Sequence, residues 1–461
     1  MKTHTLLAYF WLFVSAVVLF TLAVLNKETG GDSTEHFFHC KWAFAHPKLF
    51  LSHWGKPLYI LLGALPAQLG IVALRIFNCT AALATAALAY RYCLHLRLKN
   101  AWFAIPVIIF CNIYFYYTPT GNTETFFGFG LMLAAYLLLK KHWLAAAILA
   151  SFLPYARSEA FFLLPLFALV LIQAKKYKIL PWLGLGYVVY GAIGYWFLGD
   201  FNWVFTQNPY KNAVGYGSGS WHHFLTNAPK TYGILTTILF VFGVIYALFN
   251  LKKPHYTQCL TLMAGSFFAY LFIHSFFWYK GIYGSLGLDR VMVAVVPCMG
   301  IVAVVGVQVF SIFNAKWVQM PLMLALLFLV VKDPFHQYNF PLQYGEEEKF
   351  AAFASNYLVK NKLDNQKIYY GNAIIPLLLN KDVYSEQSCQ AMWALYGQNH
   401  KIPSHAIAVW DSHYCRVDAG VPLKMLQNDP NWVAKQNILP KQPFLIIGDV
   451  PFEIRIFEYR K

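Results

Sequence analysis

The sequence predicts a polytopic α-helical membrane protein with a small extracytoplasmic α/β domain at its C-terminal end. Of the 461 residues, 58% are hydrophobic and only 12% are charged. The apolar residues come in runs of up to about twenty, the length that crosses a bilayer as a helix. After Asp333 the charge density rises and short β-rich runs replace the long apolar ones. We therefore expect a membrane domain over residues 1–332 and a second domain over residues 333–461.

The apolar runs predict about eleven transmembrane helices by length and composition. The first run is longer than a signal-peptide core and no small-residue cleavage site follows it, so we interpret it as a helix. An apolar lead-in from residue 57 precedes the second. The predicted spans are 5–25, 71–93, 101–117, 122–139, 143–155, 158–174, 179–198, 231–250, 257–278, 290–312 and 316–332.

The distribution of charge predicts how the chain is oriented. With a cytoplasmic N-terminus, the inner loops are basic and contain no acid, as the positive-inside rule requires. Residues 1–332 contain 23 basic and seven acidic residues, so they carry the whole formal charge of +16. This excess indicates membrane orientation rather than a nucleic-acid-binding surface. The acids at the predicted outer side are Glu28, Asp32, Glu35, Glu124, Glu159, Asp200 and Asp289.

An odd number of crossings places the C-terminal domain outside the cytoplasm. Its β-rich runs are "KIYY" (367–370), "HAIAVW" (405–410), "FLIIGD" (444–449) and "EIRIFEY" (453–459), separated by helical stretches. Such alternation is typical of an α/β domain. Cys389 and Cys415 lie in this region. An oxidising compartment would allow a disulfide between them, but their separation in the sequence does not establish one.

Three predicted outer segments interrupt the helical pattern: 26–56, 199–230 and 279–289. The first has aromatic residues at near-helical spacing, which predicts a helix along the membrane surface. The second is rich in Gly, Asn and aromatic residues. It is either a loop that folds over a site or an interfacial turn.

The first outer segment contains the densest group of ionisable residues, "GGDSTEHFFH" (31–40). Asp32 and Glu35 are three residues apart and share one face of a helix. Such a pair can deprotonate a hydroxyl or hold a divalent cation. The alternative is a capping box, with Asp32 as the N-cap. His36 and His39 do not form a known metal pattern, so we expect them to donate hydrogen bonds to substrate or lipid headgroups.

Three further outer motifs supply candidate residues. Asn122 and Glu124 begin the fourth span, Arg157 and Glu159 lie between the fifth and sixth, and "WYKGIYGSLGLDR" contributes Lys280, Asp289 and Arg290. Arginine and lysine side chains at such positions can clamp a phosphate or diphosphate. The alternatives are a structural ion pair for Arg157 with a carboxylate and interfacial snorkelling for Lys280 and Arg290.

The order of these motifs resembles that of a known superfamily. The sequence has "GDSTEHF", then "WGKPLYILLGALP" with Lys56, "ALRIFN", "NTETFF", "ARSEAFFLL" and "LDRVMVAVVP". This order is similar to that of the GT-C superfamily of polyprenyl-phosphate-sugar-dependent membrane glycosyltransferases. That superfamily includes protein O-mannosyltransferases, the aminoarabinose transferase acting on lipid A and dolichol-linked mannosyltransferases. The resemblance covers roughly residues 1–332 and implies a GT-C-like fold.

The resemblance implies a glycosyltransferase of hexosyl or pentosyl type, mannosyltransferase-like, in a bacterial inner membrane. It would move a sugar from a polyprenyl-phosphate donor to a glycan, lipid or protein acceptor at the periplasmic face. Asp32 would activate the acceptor hydroxyl or belong to a metal site, with a divalent cation such as Mg²⁺ or Mn²⁺ left open. Glu35 and Glu124 would be secondary acids. The implied substrate- and phosphate-binding residues are His36, Lys56, Asn122, Arg157, Glu159, Lys280, Asp289 and Arg290.

Two other functions fit a basic polytopic protein. A lipid-linked oligosaccharide flippase or transporter would place ionisable groups near the midplane and show two related halves, and no internal repeat is visible. A surface-polysaccharide polymerase or ligase would usually have a large outer loop rich in arginine and histidine, whereas residues 199–230 contain no arginine. A non-catalytic assembly subunit would have no reason to gather acids on one side.

The predicted topology can be measured directly. A reporter that is active only in the periplasm is expected to give a signal when it is fused after Lys461. Eleven crossings place the C-terminus on the opposite side of the membrane from the cytoplasmic N-terminus. A fusion after Lys141, in a predicted inner loop, is the control and should be silent. Activity only from the Lys141 fusion would invert the orientation of every outer residue named above.

Overall fold

The computed structural model describes residues 2–27, 31–210, 217–312, 316–396, 402–446 and 449–461. The chain divides into two compact units. The first, which we call the helical unit, comprises Met1–Asn26, His39–Ala43 and Pro47–Pro341. The second, the sheet unit, comprises Lys27–Phe38, Phe44–His46 and Leu342–Lys461. The division between residues 332 and 333 stays a prediction, and Glu28 and residues 211–216 of the second outer segment lie outside the described residues.

Helices make up most of the chain before residue 342. In chain order they are α1 Lys2–Leu25, α2 Gly31–Trp42, α3 Pro57–Gln68, α4 Ile71–His95, α5 Ala104–Ile109, α6 Asn112–Tyr117, α7 Thr123–Leu139, α8 Trp143–Phe152, α9 Leu164–Gln173, α10 Leu185–Leu198, α11 Trp203–Thr206, α12 His223–Thr226, α13 Ala228–Tyr232, α14 Ile234–Phe249, α15 Pro254–Cys259, α16 Gly265–Lys280, α17 Val296–Val307 and α18 Lys316–Gln337. Short 3₁₀ segments join several of them, and a π-helical turn over Leu260–Ala264 joins α15 to α16.

Six helical runs among the described residues are long and apolar enough to cross a membrane, and five shorter apolar helices accompany them. The six are His4–Leu25, Ile71–His95, Tyr177–Leu198, Tyr256–Lys280, Asp289–Phe310 and Trp317–Gln337. The predicted fold class, a polytopic helical membrane protein with a C-terminal domain, is therefore confirmed.

Two of the predicted spans differ in detail from the structure. Residues 101–117 are not one helix: a 3₁₀ turn is followed by α5 and α6, with an extended Cys111 between them. The apolar lead-in at residue 57 is a separate helix, α3. Helical geometry is interrupted at Gly70, whose backbone φ is 106°. Only glycine adopts such a φ at little cost, so the two apolar stretches cannot merge into one helix.

Helix α17 forms the centre of the helical unit, and every one of its residues is buried. It packs closely against α14 through glycines on both helices. A Cβ atom at Gly306 would lie 2.0 Å from the carbonyl oxygen of Leu239, and one at Gly243 would lie 1.9 Å from that of Val302. Small residues that let two backbones approach are the usual device of helix packing in membranes. The 3₁₀ turn Asp289–Val295 leads into the first residue of α17.

The sheet unit contains a five-stranded sheet in the order β2-β1-β3-β7-β4 and a two-stranded ribbon of β5 and β6. Its strands are β1 Ile368–Tyr370, β2 Cys389–Ala391, β3 Ile407–Asp411, β4 Trp432–Ile438, β5 Leu445–Ile446, β6 Val450–Pro451 and β7 Ile454–Tyr459. Its helices are α19 Glu346–Lys360, α20 Ile374–Leu378 and α21 Leu423–Gln427. Strands β1, β2 and β3 are parallel, and β7 is antiparallel to both β3 and β4. All four β-rich runs seen in the sequence contain strands.

A disulfide between Cys389 and Cys415 is absent, and all eight cysteines are free and buried. Cys389 belongs to the hydrophobic core that includes Leu358 and Ile456. Cys415 belongs to a different core, which includes Trp410 and Phe457. Phe457 and Ile456 are adjacent on β7 and point to opposite faces of the sheet, so the sheet separates the two thiols.

The first outer segment contains a helix, as predicted. Phe37 and Phe38 of α2 are buried inside the protein, whereas Phe44 is exposed, and the position of the helix along the membrane surface stays a prediction. The described part of α2 begins at Gly31, and Asp32 lies in its first turn. A carboxylate in the first turn still interacts favourably with the positive end of the helix dipole.

Candidate functional site

The helical unit contains a cluster of buried and half-buried ionisable side chains contributed by four separate segments. Arg157 lies at its centre: its Nη1 is 2.7 Å from Oε1 of Glu124 and its Nη2 is 2.6 Å from Oε1 of Glu159. Arg290 shares the same Glu124 oxygen, with Nε at 3.2 Å. Nε2 of His274 on α16 lies 3.6 Å from Oε1 of Glu159. We call these five residues the charged cluster.

Glu124 reaches the cluster because a buried hydrogen-bond network fixes the start of α7. Asn78 of α4 donates from its amide nitrogen to the carbonyl oxygens of Thr120 at 2.9 Å and Asn122 at 2.7 Å. The hydroxyl of Tyr59 on α3 donates to the carbonyl oxygen of Gly121 at 2.9 Å. Two helices thus hold the loop before α7, and Glu124 lies in the first turn of that helix with only 2% of its surface exposed.

Arg157 is saturated by protein partners. In addition to the two carboxylates, its Nε donates to the hydroxyl of Tyr270 at 3.1 Å and its Nη1 donates to Oγ1 of Thr123 at 3.3 Å. A buried guanidinium is stable only when its charge and its donors are matched in this way. We infer that Arg157 organises the cluster, whereas the direct phosphate contact expected for it stays a prediction.

Among the residues that the structure describes, Lys56 is the cation of this region with the longest hydrogen bonds. It is 5% exposed, and its Nζ donates to the carbonyl oxygen of His53 at 3.3 Å and to the hydroxyl of Tyr210 at 3.4 Å. The Tyr210 ring lies 4.8 Å from the ammonium. Lys56 has a φ of 67°, uncommon for a residue with a side chain, directly before Pro57. Such strain is concentrated at ligand-binding positions.

Two histidines accompany the charged residues. His53 lies beside Lys56 in a small pocket that also includes Tyr155, Ser158 and Trp203. Burial and the neighbouring ammonium of Lys56 lower the pKa of His53 to about 4, so its ring is neutral at neutral pH. His274 was missed by sequence reasoning because it is an isolated histidine within the apolar helix α16. Only its position opposite Glu159 indicates a functional context.

Charges of both signs meet in this region. Lys56 and Arg157 are buried cations, and Arg290 is half-buried. Glu124 and Glu159 are the anionic partners, Glu159 interacts electrostatically with Lys56, and Asp289 adjoins Arg290 in the chain. Unlike the two arginines, Lys56 donates its hydrogen bonds to neutral oxygens.

The other predicted residues of the helical unit lie in different settings. Asn122 occupies the N-cap position of α7 without a capping hydrogen bond from its side chain, and its side-chain amide donates to Oγ1 of Thr120 at 2.9 Å. Asp289 lies next to Arg290, with Oδ1 at 3.9 Å from Nε2 of His223. Lys280 is exposed at the end of α16, with its ammonium 5.4 Å from the ring centre of Tyr279. Substrate contacts of all three stay predictions.

Asp32, Glu35 and His36 lie on α2 in the part of the chain that belongs to the sheet unit. Burial, with a further contribution from the negative charge of Asp32, raises the pKa of Glu35 to about 7. A carboxyl group that titrates near neutral pH can both accept and donate a proton. Their catalytic and binding roles stay predictions, and the geometry of α2 agrees with the expected placement of both acids in one turn.

The structure does not identify a metal centre. Within the described ranges, no group of three or more His, Cys, Asp or Glu side chains could hold a metal ion. The divalent cation that the resemblance left open therefore stays a prediction, as does the metal-site role considered for Asp32.

Taken together, a bundle of apolar helices, a C-terminal sheet and a cluster of paired charges within the helical unit define a polytopic membrane protein. The whole architecture matches solved structures of ArnT, a GT-C aminoarabinose transferase. ArnT from Cupriavidus metallidurans bound to undecaprenyl phosphate superposes with a TM-score of 0.64 at 12% sequence identity, over 97% of each chain. The apo state of that protein gives a TM-score of 0.60 at the same identity and coverage. This chain therefore has the ArnT fold, and the GT-C-like fold implied by the motif order is confirmed.

Sequence comparison alone gives no match. No family model matches the chain. No curated protein matches it either. The architecture is thus shared with ArnT at a level of sequence identity where function does not follow from fold.

The central position of Arg157 can be tested by its effect on stability. Arg157→Met is expected to cost about 3–5 kcal/mol of unfolding free energy, because it leaves Glu124 and Glu159 buried beside fewer cations. The measurement is the thermal unfolding midpoint of the purified protein in detergent. Arg91→Met, at an exposed arginine of α4, is the matched control and should change the midpoint little. Equal midpoints for the two variants would show that the cluster does not stabilise the bundle.

Proposed function

We propose that this protein is an integral membrane glycosyltransferase that moves a sugar from a polyprenyl-phosphate donor to a hydroxyl acceptor at the periplasmic face of a bacterial inner membrane. The observation that carries the proposal is the buried ammonium of Lys56, which has two neutral oxygens at 3.3 and 3.4 Å as its hydrogen-bond partners. A buried lysine that makes two long hydrogen bonds gains most from an anionic ligand.

The donor phosphate would bind at Lys56, beside the charged cluster. In the reaction, the acceptor oxygen forms a bond to the anomeric carbon while the bond from that carbon to the phosphate oxygen breaks. Negative charge then accumulates on the departing polyprenyl phosphate. Positioned cations stabilise such a leaving group without supplying a proton. Lys56 would contact this charge directly, and Arg290 would add to it from the 3₁₀ turn before α17.

Glu124 and Arg157 would act by positioning other residues. Glu124 Oε1 contacts both Arg157 and Arg290, so this carboxylate sets the direction of the Arg290 guanidinium. Catalytic electrostatic stabilisation depends on such preorganised groups. A direct catalytic role of Glu124, and contacts of Glu159 with the sugar, are compatible with this arrangement and remain part of the proposal.

The acceptor hydroxyl would lose its proton to Asp32, the role that the motif resemblance gives to the first-loop acid. Glu35, three residues further along α2, would orient the acceptor or receive the proton in turn, because its pKa of about 7 suits proton exchange at neutral pH. His36 would donate a hydrogen bond to substrate. A divalent cation such as Mg²⁺ or Mn²⁺ is compatible with the reaction.

The structural likeness to ArnT supports the donor class, because the matched ArnT structure holds undecaprenyl phosphate. The buried ammonium of Lys56 is the group that would hold such a phosphate. A flippase or transporter is less well supported, since its ionisable groups would be expected near the midplane of two related halves. A polysaccharide polymerase or ligase would use the same donor phosphate and would be distinguished by its acceptor.

The phosphate site makes a prediction about bound lipid. Lys56→Ala is expected to weaken donor retention about 10- to 100-fold, because a charge-assisted hydrogen bond to phosphate is lost. Arg290→Ala is expected to act in the same direction. Lipid mass spectrometry of the purified protein in nanodiscs measures the polyprenyl-phosphate sugar that remains bound, and its mass identifies the sugar.

Lys230→Ala, at an exposed lysine of α13, is the matched control and should retain donor like the wild type. Retention that is equal in Lys56→Ala and Lys230→Ala would remove Lys56 from the donor site. A bound lipid-linked oligosaccharide in place of a monosaccharide conjugate would favour the flippase or ligase alternative.

The proposed role of Asp32 as the base predicts a loss of turnover without a loss of donor retention. Asp32→Asn is expected to lower turnover by roughly 10²–10⁴-fold, the usual contribution of a general base, while donor retention and the unfolding midpoint stay near the wild-type values. The measurement is transfer of labelled sugar from a polyprenyl-phosphate donor in membranes that contain the variant. An active Asp32→Asn enzyme would exclude Asp32 as the base and leave the donor site unaffected.

A further inference from the structure

A second amphiphilic pocket lies in the helical unit, far from the charged cluster. Its walls combine polar and apolar side chains, chiefly Lys99, Asn100, Gln308, Gln319, Leu322 and Met323. It is formed where the loop after α4 meets the end of α17 and the first turns of α18. Neither the proposed transfer reaction nor the motif resemblance uses these residues.

The pocket and the charged cluster lie at opposite ends of one buried helical run. Asp289–Val295 is a 3₁₀ turn and Val296–Val307 is α17, with Arg290 at the beginning and Gln308 directly after the end. At about 2.0 Å per residue for the 3₁₀ turn and 1.5 Å for the helix, the run is about 30 Å long. This length equals the hydrocarbon thickness of a bilayer. In the predicted topology Lys99 belongs to an inner loop, which puts the pocket on the cytoplasmic side of the predicted membrane domain.

The polar side of the pocket is built by a glutamine that binds the backbone of the neighbouring lysine. Gln308 accepts from the backbone nitrogen of Lys99 at 3.1 Å and donates to the Lys99 carbonyl oxygen at 2.9 Å. Gln308 itself is only 7% exposed. Arg97 and Asn100 both have left-handed backbones, with φ of 56° and 57°. The tight turn and the paired hydrogen bonds hold Lys99 at a fixed place while its side chain stays exposed.

The charge around this turn has one sign. Arg97, Lys140 and Lys141 all act electrostatically on His95 at the end of α4, so these basic groups lie close together. The inner loops of the predicted topology contain no acid that could neutralise them. On the other side of the pocket, Leu322 and Met323 of α18 offer an apolar wall.

We propose that this pocket binds the headgroup of an anionic phospholipid, with Lys99 contacting the phosphate and Leu322 and Met323 contacting the start of an acyl chain. A cation above an apolar wall, at the depth of a membrane interface, matches the chemistry of such a lipid. The basic groups nearby would favour anionic over zwitterionic headgroups. The proposal does not depend on the transfer reaction, and a failed test of one leaves the other standing.

Native mass spectrometry tests the proposal on the full-length protein in detergent, titrated with phosphatidylglycerol or with phosphatidylcholine of the same acyl chains. The wild type is expected to retain phosphatidylglycerol preferentially. Lys99→Ala should lower its occupancy about fivefold, consistent with one basic residue near a lipid surface. Leu322→Trp, which fills the pocket without changing charge, should remove the preferential lipid as well.

Lys178→Ala, at an exposed lysine that does not line the pocket, is the matched control and should behave like the wild type. Equal retention of both lipids by the wild type would overturn the proposal. An equal loss in Lys178→Ala and Lys99→Ala would also overturn it, since the attraction would then be diffuse. If Leu322→Trp does not fold, the comparison of Lys99→Ala with Lys178→Ala decides, because both replace exposed side chains.

Discussion

The helical unit depends on one carboxylate shared by two guanidinium groups. Glu124 is buried at the start of α7, and its Oε1 lies 2.7 Å from Arg157 and 3.2 Å from Arg290. In a medium of low dielectric constant, none of these charges is stable without the others. The shared oxygen therefore joins α7, the turn before α9 and the turn before α17 into one arrangement. Lys56 lies beside this arrangement, where its ammonium donates hydrogen bonds to two neutral oxygens.

Much of the fold was predictable from the sequence because a segment that crosses the lipid bilayer must form a long apolar helix. Apolar runs near twenty residues predicted most of the helices, and the four β-rich runs predicted strands of the sheet unit. The failures have local causes. Hydropathy does not register the backbone at Gly70, which separates α3 from α4, or the extended Cys111 that divides α5 from α6. The pairing of Cys389 with Cys415 stayed open at the level of the sequence because spacing does not report which face of a sheet a residue occupies.

The candidate site was predictable in composition but not in arrangement. A charged residue next to a membrane span is costly, which marked Glu124, Arg157, Glu159 and Arg290. The sequence does not show how well the hydrogen-bond donors of each cation are satisfied. Arg157 has four protein partners, whereas Lys56 makes two long hydrogen bonds. His274 was invisible because a single histidine in an apolar helix has no pattern. Its position opposite Glu159 depends on contacts between α16 and a turn more than a hundred residues away in the chain.

The burial of α17 also bears on how the protein is made. Among the six membrane-length helical runs, Asp289–Phe310 contains the 18-residue window of highest mean hydropathy, 2.4, yet 89% of that window is buried inside the finished protein. Its apolar surface is therefore matched to other helices rather than to lipid. During synthesis, however, the segment leaves the ribosome after α14 and α16 and must be accepted by the bilayer before its neighbours close around it. Its hydropathy then serves insertion, and the glycines Gly243 and Gly306 serve the later step of assembly.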